Sequence, residues 1–328
     1  MARALITGAS GLLGANLAAA LVAAGHEVRA TRRGSTRVDH LADLPITWVA
    51  GDLASVPELT AACRGVDVVF HCAAEVGVER VVTPALHAGN VVGAAHVVEA
   101  VIAAGAPRLV HTSSTVAVGL SEDGRPCDED TRWNFGAHGL ADGYAITKRQ
   151  GEERVLAAAD RLDVVVVNPG YMFGPRDVRP SSGKLIVDVV AGRVPGWTTG
   201  LNNFVDVRAV ALGMIGAWQR GQRGRRYILG GDNLTYREVM QHIAAVAGVR
   251  PPRWPAPRPL VRALGWWGDR VEDRGGRAVL NSAKAGFAFA RGFQFSSARA
   301  IAELGYQPGP LEPAIADALA WFRARAMV

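Results

Sequence analysis

Tyr144 and Lys148 stand four residues apart in Tyr144-Ala145-Ile146-Thr147-Lys148. On a helix this spacing puts both side chains on one face. A free tyrosine has a pKa of about 10, too high for acid–base work near neutrality. A neighbouring ammonium stabilises the phenolate, and each unit of downward shift corresponds to roughly 1.4 kcal/mol. A Tyr/Lys pair also arises by chance on helix surfaces, so the pair gains meaning only from its company. Ser113 and Ser114 end an apolar segment, Arg108 to Thr112, at the strand edge where open α/β sheets bind ligands. There Ser114 is placed to hydrogen-bond the oxygen that Tyr144 would protonate.

A second constellation opens the chain. Residues 5–14 read Leu-Ile-Thr-Gly-Ala-Ser-Gly-Leu-Leu-Gly. A short apolar run predicts a strand, glycines follow at 8, 11 and 14, and a helical apolar pattern begins at Leu12 and Leu13. Strand, glycine turn and helix form the first half of a nucleotide-binding unit. Gly8 permits the turn, Gly11 allows backbone to approach a pyrophosphate, and Gly14 lets helix pack closely on strand. The N–H groups of the helix start favour phosphate charge.

These residues need a scaffold, and strands alternate with helices through the first half. Segments 28–31, 46–50, 66–71, 108–112 and 164–167 read as strands, and 88–104 and 143–159 as helices. This alternation predicts a doubly wound parallel sheet. After Asn168-Pro169-Gly170 turn residues dominate to 204. A helix at 207–219, a strand at 227–229 and helices at 235–248, 258–273 and 311–326 follow. The reading is a Rossmann-type domain over 1–169, with 205–230 returning to it. A smaller C-terminal α/β substrate domain takes 170–204 and 231–328. Trp266 and Trp267 lie on an amphipathic segment that either touches membrane or packs across a substrate cleft.

The 328 residues carry 49% apolar side chains, enough for a substantial core, and a net charge of +6. The basic residues are dispersed, densest at Arg29–Arg37 and Arg220–Arg226, without an aromatic-interleaved stripe, so nucleic acid is not expected as a partner. Cys63, Cys72 and Cys127 lie far apart and form no CxxC pair, which suits a reduced cytoplasmic setting. Residue 4 already begins a core strand, so no signal sequence is expected. No apolar run looks long enough to span a bilayer.

An NAD-type site places a carboxylate on the ribose about 20 residues past the glycines. Here the second strand ends Ala30-Thr31-Arg32-Arg33-Gly34. Arginine binds phosphate bidentately, so Arg32 and Arg33 favour NADP(H) over NAD(H); the other reading is two solvated charges. Asp52 either accepts from the adenine amino group or caps a helix.

Together these features are far more specific than any part. The chain resembles the extended short-chain dehydrogenases/reductases, also called the NAD-dependent epimerase/dehydratase family, over nearly its whole length. Thr7-Gly8-Ala9-Ser10-Gly11-Leu12-Leu13-Gly14 is similar to the family's cofactor loop, with Leu12 where phenylalanine is usual. Gly51-Asp52-Leu53 resembles the adenine-contacting segment, and His71-Cys72-Ala73-Ala74 the stretch beside the cofactor. Asn90-Val91-Val92-Gly93 is similar to the start of the central helix. His111-Thr112-Ser113-Ser114 with Gly119 is similar to the active-site strand and selects Ser114. Asn168-Pro169-Gly170 through Met172 to Gly174-Pro175 resembles the loop flanking the nicotinamide. Within the family, Val28 to Arg33 is similar to dihydroflavonol-reductase-like proteins, and Arg226 to Thr235 to hopanoid-associated sugar epimerases.

The resemblance implies three functions. A reductase would pass hydride from NADPH to a ketone or aldehyde, with Tyr144 donating the proton, Ser114 holding the oxygen and Lys148 binding the nicotinamide ribose. In that scheme Asn90 would support a relay water. A sugar-nucleotide epimerase would use the same residues with tightly held NAD. A non-catalytic NADP-binding regulator is the third. Dehydration is disfavoured, because Thr115-Val116 follow Ser114 where an acid pair is needed. Gly119 stands where plant flavonoid reductases read substrate with asparagine. Residues 127–140, with Trp133, Phe135 and His138, are expected at the cleft with Trp197 and Phe204, pointing to a bulky aromatic or lipid-like substrate. The resemblance also implies a homodimer through the helices near 90–104 and 143–159.

Overall fold

The protein is described from a computed structural model, over residues 1–77 and 79–328. The chain runs β1 (Arg3–Thr7), α1 (Leu12–Ala23), β2 (Glu27–Arg32), β3 (Ile46–Ala50), α2 (Val56–Cys63) and β4 (Val68–His71). Next, α3 (Pro84–His87) continues through a π-turn at Ala88–Val92 into α4 (Gly93–Ala104), followed by β5 (Arg108–Thr112), α5 (Gly143–Leu156) and β6 (Asp163–Pro169). Then come β7 (Tyr171–Phe173), α6 (Lys184–Val190), β8 (Leu201–Asp206), α7 (Val207–Arg220), β9 (Arg226–Leu229) and β10 (Asp232–Thr235). The last helices are α8 (Tyr236–Ala247), α9 (Arg258–Asp273), α10 (Ser282–Phe287), α11 (Ala298–Leu304) and α12 (Leu311–Arg323).

Seven strands form one sheet in the order β3-β2-β1-β4-β5-β6-β9, and every pairing in it is parallel. This is a doubly wound Rossmann-type sheet. On one face Leu13, Leu17 and Leu21 of α1 meet Val210 and Met214 of α7. On the other, Leu59 of α2, Val97 and Val101 of α4 and Val155 of α5 close the second core. Burial on both faces is why β4 and β6 read as continuous apolar runs. The strand order reverses between β1 and β4, and open α/β sheets bind ligands at that point.

A second sheet, β10-β8-β7, carries the smaller lobe. Phe173, Phe204, Ile243, Leu319 and Phe322 form its core with α6, α8 and α12. The strands β7, β8 and β10 lay hidden in a turn-rich stretch, because short polar segments such as Leu201-Asn202-Asn203 carry little strand signal. Asn203 is fully buried and bonds the Gly231 carbonyl at 3.0 Å and Asn233 at 2.9 Å.

The expectation that no apolar segment reaches membrane-spanning length needs correction. Among the described residues one helix, Pro84–Ala104, is long and apolar enough by length and composition. It is a core helix, however. Half of its apolar window is buried, and Val97 and Val101 sit in the core with α2 and α5 residues.

Candidate active site

Gly8 adopts a left-handed φ of 75°, which only glycine takes without strain. A Cβ there would also lie 2.5 Å from the Ala73 backbone nitrogen, and one on Gly14 would lie 2.3 Å from the Gly8 carbonyl. The turn therefore packs backbone on backbone, with no side chain over it. Helix α1 begins at Gly11 with no side-chain cap, so its first N–H groups face the space beyond β1.

That space is a cavity of about 870 Å³. It runs from Ser10, Gly11, Leu12, Leu13 and Gly14 past Cys72 and Ala74 to Ser114, Tyr144 and Lys148, with Pro169, Gly170 and Met172 opposite. Two segments far apart in sequence, the glycine turn and the Tyr/Lys helix, thus share one cavity.

Helix α5 starts with a cap: the Asp142 carboxylate accepts from the Ala145 N–H at 2.7 Å. Burial pushes Asp142 up to about 6. One turn in, Tyr144 and Lys148 face the end of β5. The Lys148 ammonium donates to the Thr112 carbonyl at 2.7 Å. Burial lowers its pKa to about 8, opposed by the Glu152 carboxylate one turn further on. Burial pushes the Tyr144 phenol up to about 12, against the pull of the Ser114 hydroxyl. This is opposite to the downward shift that the Tyr/Lys spacing predicts: burial outweighs what stabilises the phenolate. Behind Lys148 the Glu152 carboxylate is fully buried, ion-paired with Arg226 at 3.0 Å and accepting from Asn168 at 2.7 Å.

Arg33 lines the cavity and Arg32 does not; Arg32 is the last, outward-pointing residue of β2. The turn after β2 brings Arg37 and His40 to the wall as well, and the loop after β7 and the C-terminal segment bring Arg179 and Arg325. Arg176 bonds the His40 carbonyl at 2.9 Å and Asp43 at 3.0 Å, tying the two loops together. His40 Nε2 is buried without a partner among the described residues, and burial depresses its pKa. Sequence reading missed Arg37, although it ends the densest basic run; Arg179 and Arg325 left no local signal.

Asp52, Leu53, Ala73 and Asn90 stand outside the cavity wall. Asp52 accepts from the Ala54 N–H at 3.0 Å, and Ser55, not Asp52, caps α2. The Leu53 carbonyl bonds His96 at 2.7 Å. Ala73 backs Gly8. Asn90 is a structural bridge: its carbonyl accepts from Glu75 N–H at 2.8 Å, and its amide donates to Thr147 at 3.1 Å.

The aromatic residues expected at the cleft sit elsewhere. Phe135 is fully buried against Phe287 and Phe293. Trp133 stacks on Phe135 and donates to the Val116 carbonyl at 2.9 Å. His138 pairs with Glu122 at 2.9 Å, Phe204 belongs to the small-lobe core, and Trp197 stacks under Arg237. The segment is held against the C-terminal part by the Cys127–Phe295 bridge, which turns its rings into packing. Gly119 backs onto Arg132, whose carbonyl would lie 2.6 Å from a Cβ. Trp266 and Trp267 do not pack across the cleft: they are 55% and 64% exposed.

The profile of the NAD dependent epimerase/dehydratase family matches residues 4–230. The chain belongs to this family. It is an enzyme of the extended short-chain dehydrogenase/reductase type, a family that holds NAD(P)-dependent reductases and epimerases. It is 34% identical over 327 residues to a putative dihydroflavonol 4-reductase of Synechocystis, covering 97% of this chain and 94% of the relative. It is 34% identical over 337 residues to sterol demethylase protein B of Methylococcus capsulatus, covering 99% of each. Among solved structures, gox2253 superposes with a TM-score of 0.86 at 30% identity, covering 100% of both chains.

Proposed function

We propose that this protein is an NADPH-dependent reductase of a ketone or aldehyde on a bulky, largely apolar small molecule. The observation that carries the reading is one cavity joining an uncapped glycine turn, a cationic end and the Tyr144 phenol with Lys148. The close backbone packing at Gly8 and Gly14 fits a dinucleotide pyrophosphate, and Arg33 and Arg37 fit a 2′-phosphate. When bound, the cofactor supplies the hydride.

The chain's own residues supply the rest. The N–H groups at the start of α1 hold phosphate charge. Ser114 orients the carbonyl oxygen, and Tyr144, which keeps its proton at neutral pH, donates it to that oxygen. Lys148, fixed by the Thr112 carbonyl, binds the nicotinamide ribose and offsets negative charge on the phenol. Burial makes the phenol a weaker acid, so the Lys148 ammonium has to lower its pKa during turnover. The Methylococcus relative, named for sterol demethylation, supports a bulky apolar substrate.

The test is a titration of cofactor-stripped protein with NADPH and NADH, for wild type and Arg33→Ala. The expected result is NADPH tighter by about tenfold or more, the worth of one charged contact, and a preference largely lost in Arg33→Ala. NAD(H) carried tightly through purification would overturn the reading in favour of an epimerase.

A further inference from the structure

Helix α9 shows the solvent an apolar stripe where a surface helix ordinarily shows charge. Leu260, Leu264 and Trp267 follow at spacings of four and three, which aligns them on one face. They are 55%, 51% and 64% exposed, with Trp266 beside them. The neighbouring face is already used. Gly265 and Gly268 are buried, and a Cβ on Gly268 would lie 1.8 Å from the Leu280 carbonyl. The loop before α10 therefore lies flush on the glycines, and the helix cannot rotate to hide its tryptophans.

Charge on this helix is sorted the same way. Two of its three acidic residues face the loop before α10, Asp269 bonded to the Ser282 N–H at 2.9 Å and Glu272 to Asn281 at 2.9 Å, while Asp273 is 60% exposed and pairs with Arg80 at 2.6 Å. Arg258, Arg262 and Arg274 are exposed, and the Arg270 guanidinium lies 3.0 Å from the Trp266 ring centre. The outward face thus combines leucine, tryptophan and arginine, with Asp269 and Glu272 turned toward the protein and Asp273 paired with Arg80.

We propose that the outer face of α9 docks this enzyme on an anionic membrane surface. A helix of this composition lies flat in the headgroup region: apolar side chains enter the acyl boundary, tryptophan rings sit at headgroup level, and arginines meet lipid phosphates. The three arginines of α9, with Arg274 just past its end, outnumber its carboxylates and complement an anionic bilayer. The proposal does not depend on the reaction catalysed in the cavity.

The experiment is co-sedimentation of the full chain with vesicles of phosphatidylcholine alone, or with a quarter phosphatidylglycerol, at low and high salt. The variants are Leu264→Ser with Trp267→Ser, and Arg262→Glu with Arg274→Glu. All four side chains are exposed, and circular dichroism confirms that the variants fold. The wild type is expected to sediment with the anionic vesicles only, about tenfold more weakly at high salt, as screening weakens charge attraction. Each double variant is expected to bind about tenfold or more weakly, since one arginine near such a surface is worth roughly fivefold. Wild type that stays soluble with both vesicles overturns the proposal, as does equal binding to neutral vesicles or variants that sediment like wild type. Self-association of the wild type, lost with Trp267→Ser and unaccompanied by vesicle binding, also overturns it and assigns the face to a second copy.

Discussion

Glu152→Gln reaches stability and the active site through one carboxylate. Glu152 is fully buried, faces Arg226 at 3.0 Å, accepts from Asn168 at 2.7 Å and holds the Lys148 pKa up against burial. The glutamine keeps shape and one acceptor oxygen but removes the charge. Losing one member of a buried pair costs 3–5 kcal/mol. Arg226 retains the Glu129 carbonyl at 2.7 Å, so the expected loss lies at the lower end, about 3 kcal/mol. For a chain of this size that lowers Tm by roughly 4 °C. The second effect has a definite sign. Without the carboxylate, burial of Lys148 loses its main opponent, its pKa falls below about 8, and the ammonium is lost at lower pH. The alkaline limb of kcat/KM for NADPH, which reports the free enzyme, is expected to move down by on the order of one pH unit, or ~1.4 kcal/mol. Glu153→Gln serves as control: it removes only a half-exposed pair with Arg149, worth about 0.3–0.5 kcal/mol. A Glu152→Gln enzyme with the Tm and alkaline limb of the control would refute the reasoning.

Gly14→Ala must push the Gly8 carbonyl, 2.3 Å from the new Cβ, and overpacking of this kind costs about 1–3 kcal/mol. The expected outcome by calorimetric titration is NADPH binding weakened by at least about tenfold, while Gly105→Ala, at a site with nothing nearby, leaves binding unchanged. His71 and His111 form a buried pair, ring centres 5.1 Å apart, both held neutral by burial. Their folded pKa values lie below the unfolded value, so the unfolded chain binds more protons and stability falls as pH drops. For His71 the window runs from 6.5 down to about 3. Urea titrations across it should show a loss of about 1.4 kcal/mol per pH unit for each histidine. His111, without a hydrogen-bond partner among the described residues, can be replaced by leucine, which should halve that slope; an unchanged slope would count against the buried pair as its source.

Much of the scaffold was legible because its signals are local. The apolar run, Gly8 and Gly14 announce β1, the turn and α1 within a dozen residues. Tyr144 and Lys148 declare their shared face by spacing alone. Pairings between distant segments were not legible. Phe135 and Phe204 signal burial in sequence, but only the Cys127–Phe295 bridge and the β7–β8 pairing decide that they pack inward rather than line a cleft. The cationic end of the cavity illustrates the same limit: Arg33 lies where the second strand predicts it, while Arg179 and Arg325 arrive from loops with no motif. In α9 the amphipathic pattern was visible, but the buried face belongs to Gly265 and Gly268, whose missing side chains let the neighbouring loop seat against them. Hydrophobicity alone therefore could not say which face is buried.

The most direct test of the central claim compares wild type with Tyr144→Phe. NADPH oxidation is followed against a panel of bulky apolar ketones and aldehydes, with NADPH binding measured on both proteins. The wild type is expected to oxidise NADPH with at least one of these carbonyls. Tyr144→Phe should lose about 100- to 10,000-fold in kcat, the usual worth of a positioned general acid, while its Kd for NADPH stays within about threefold. Full turnover without the phenol, or no carbonyl-dependent NADPH oxidation by the wild type, would contradict it.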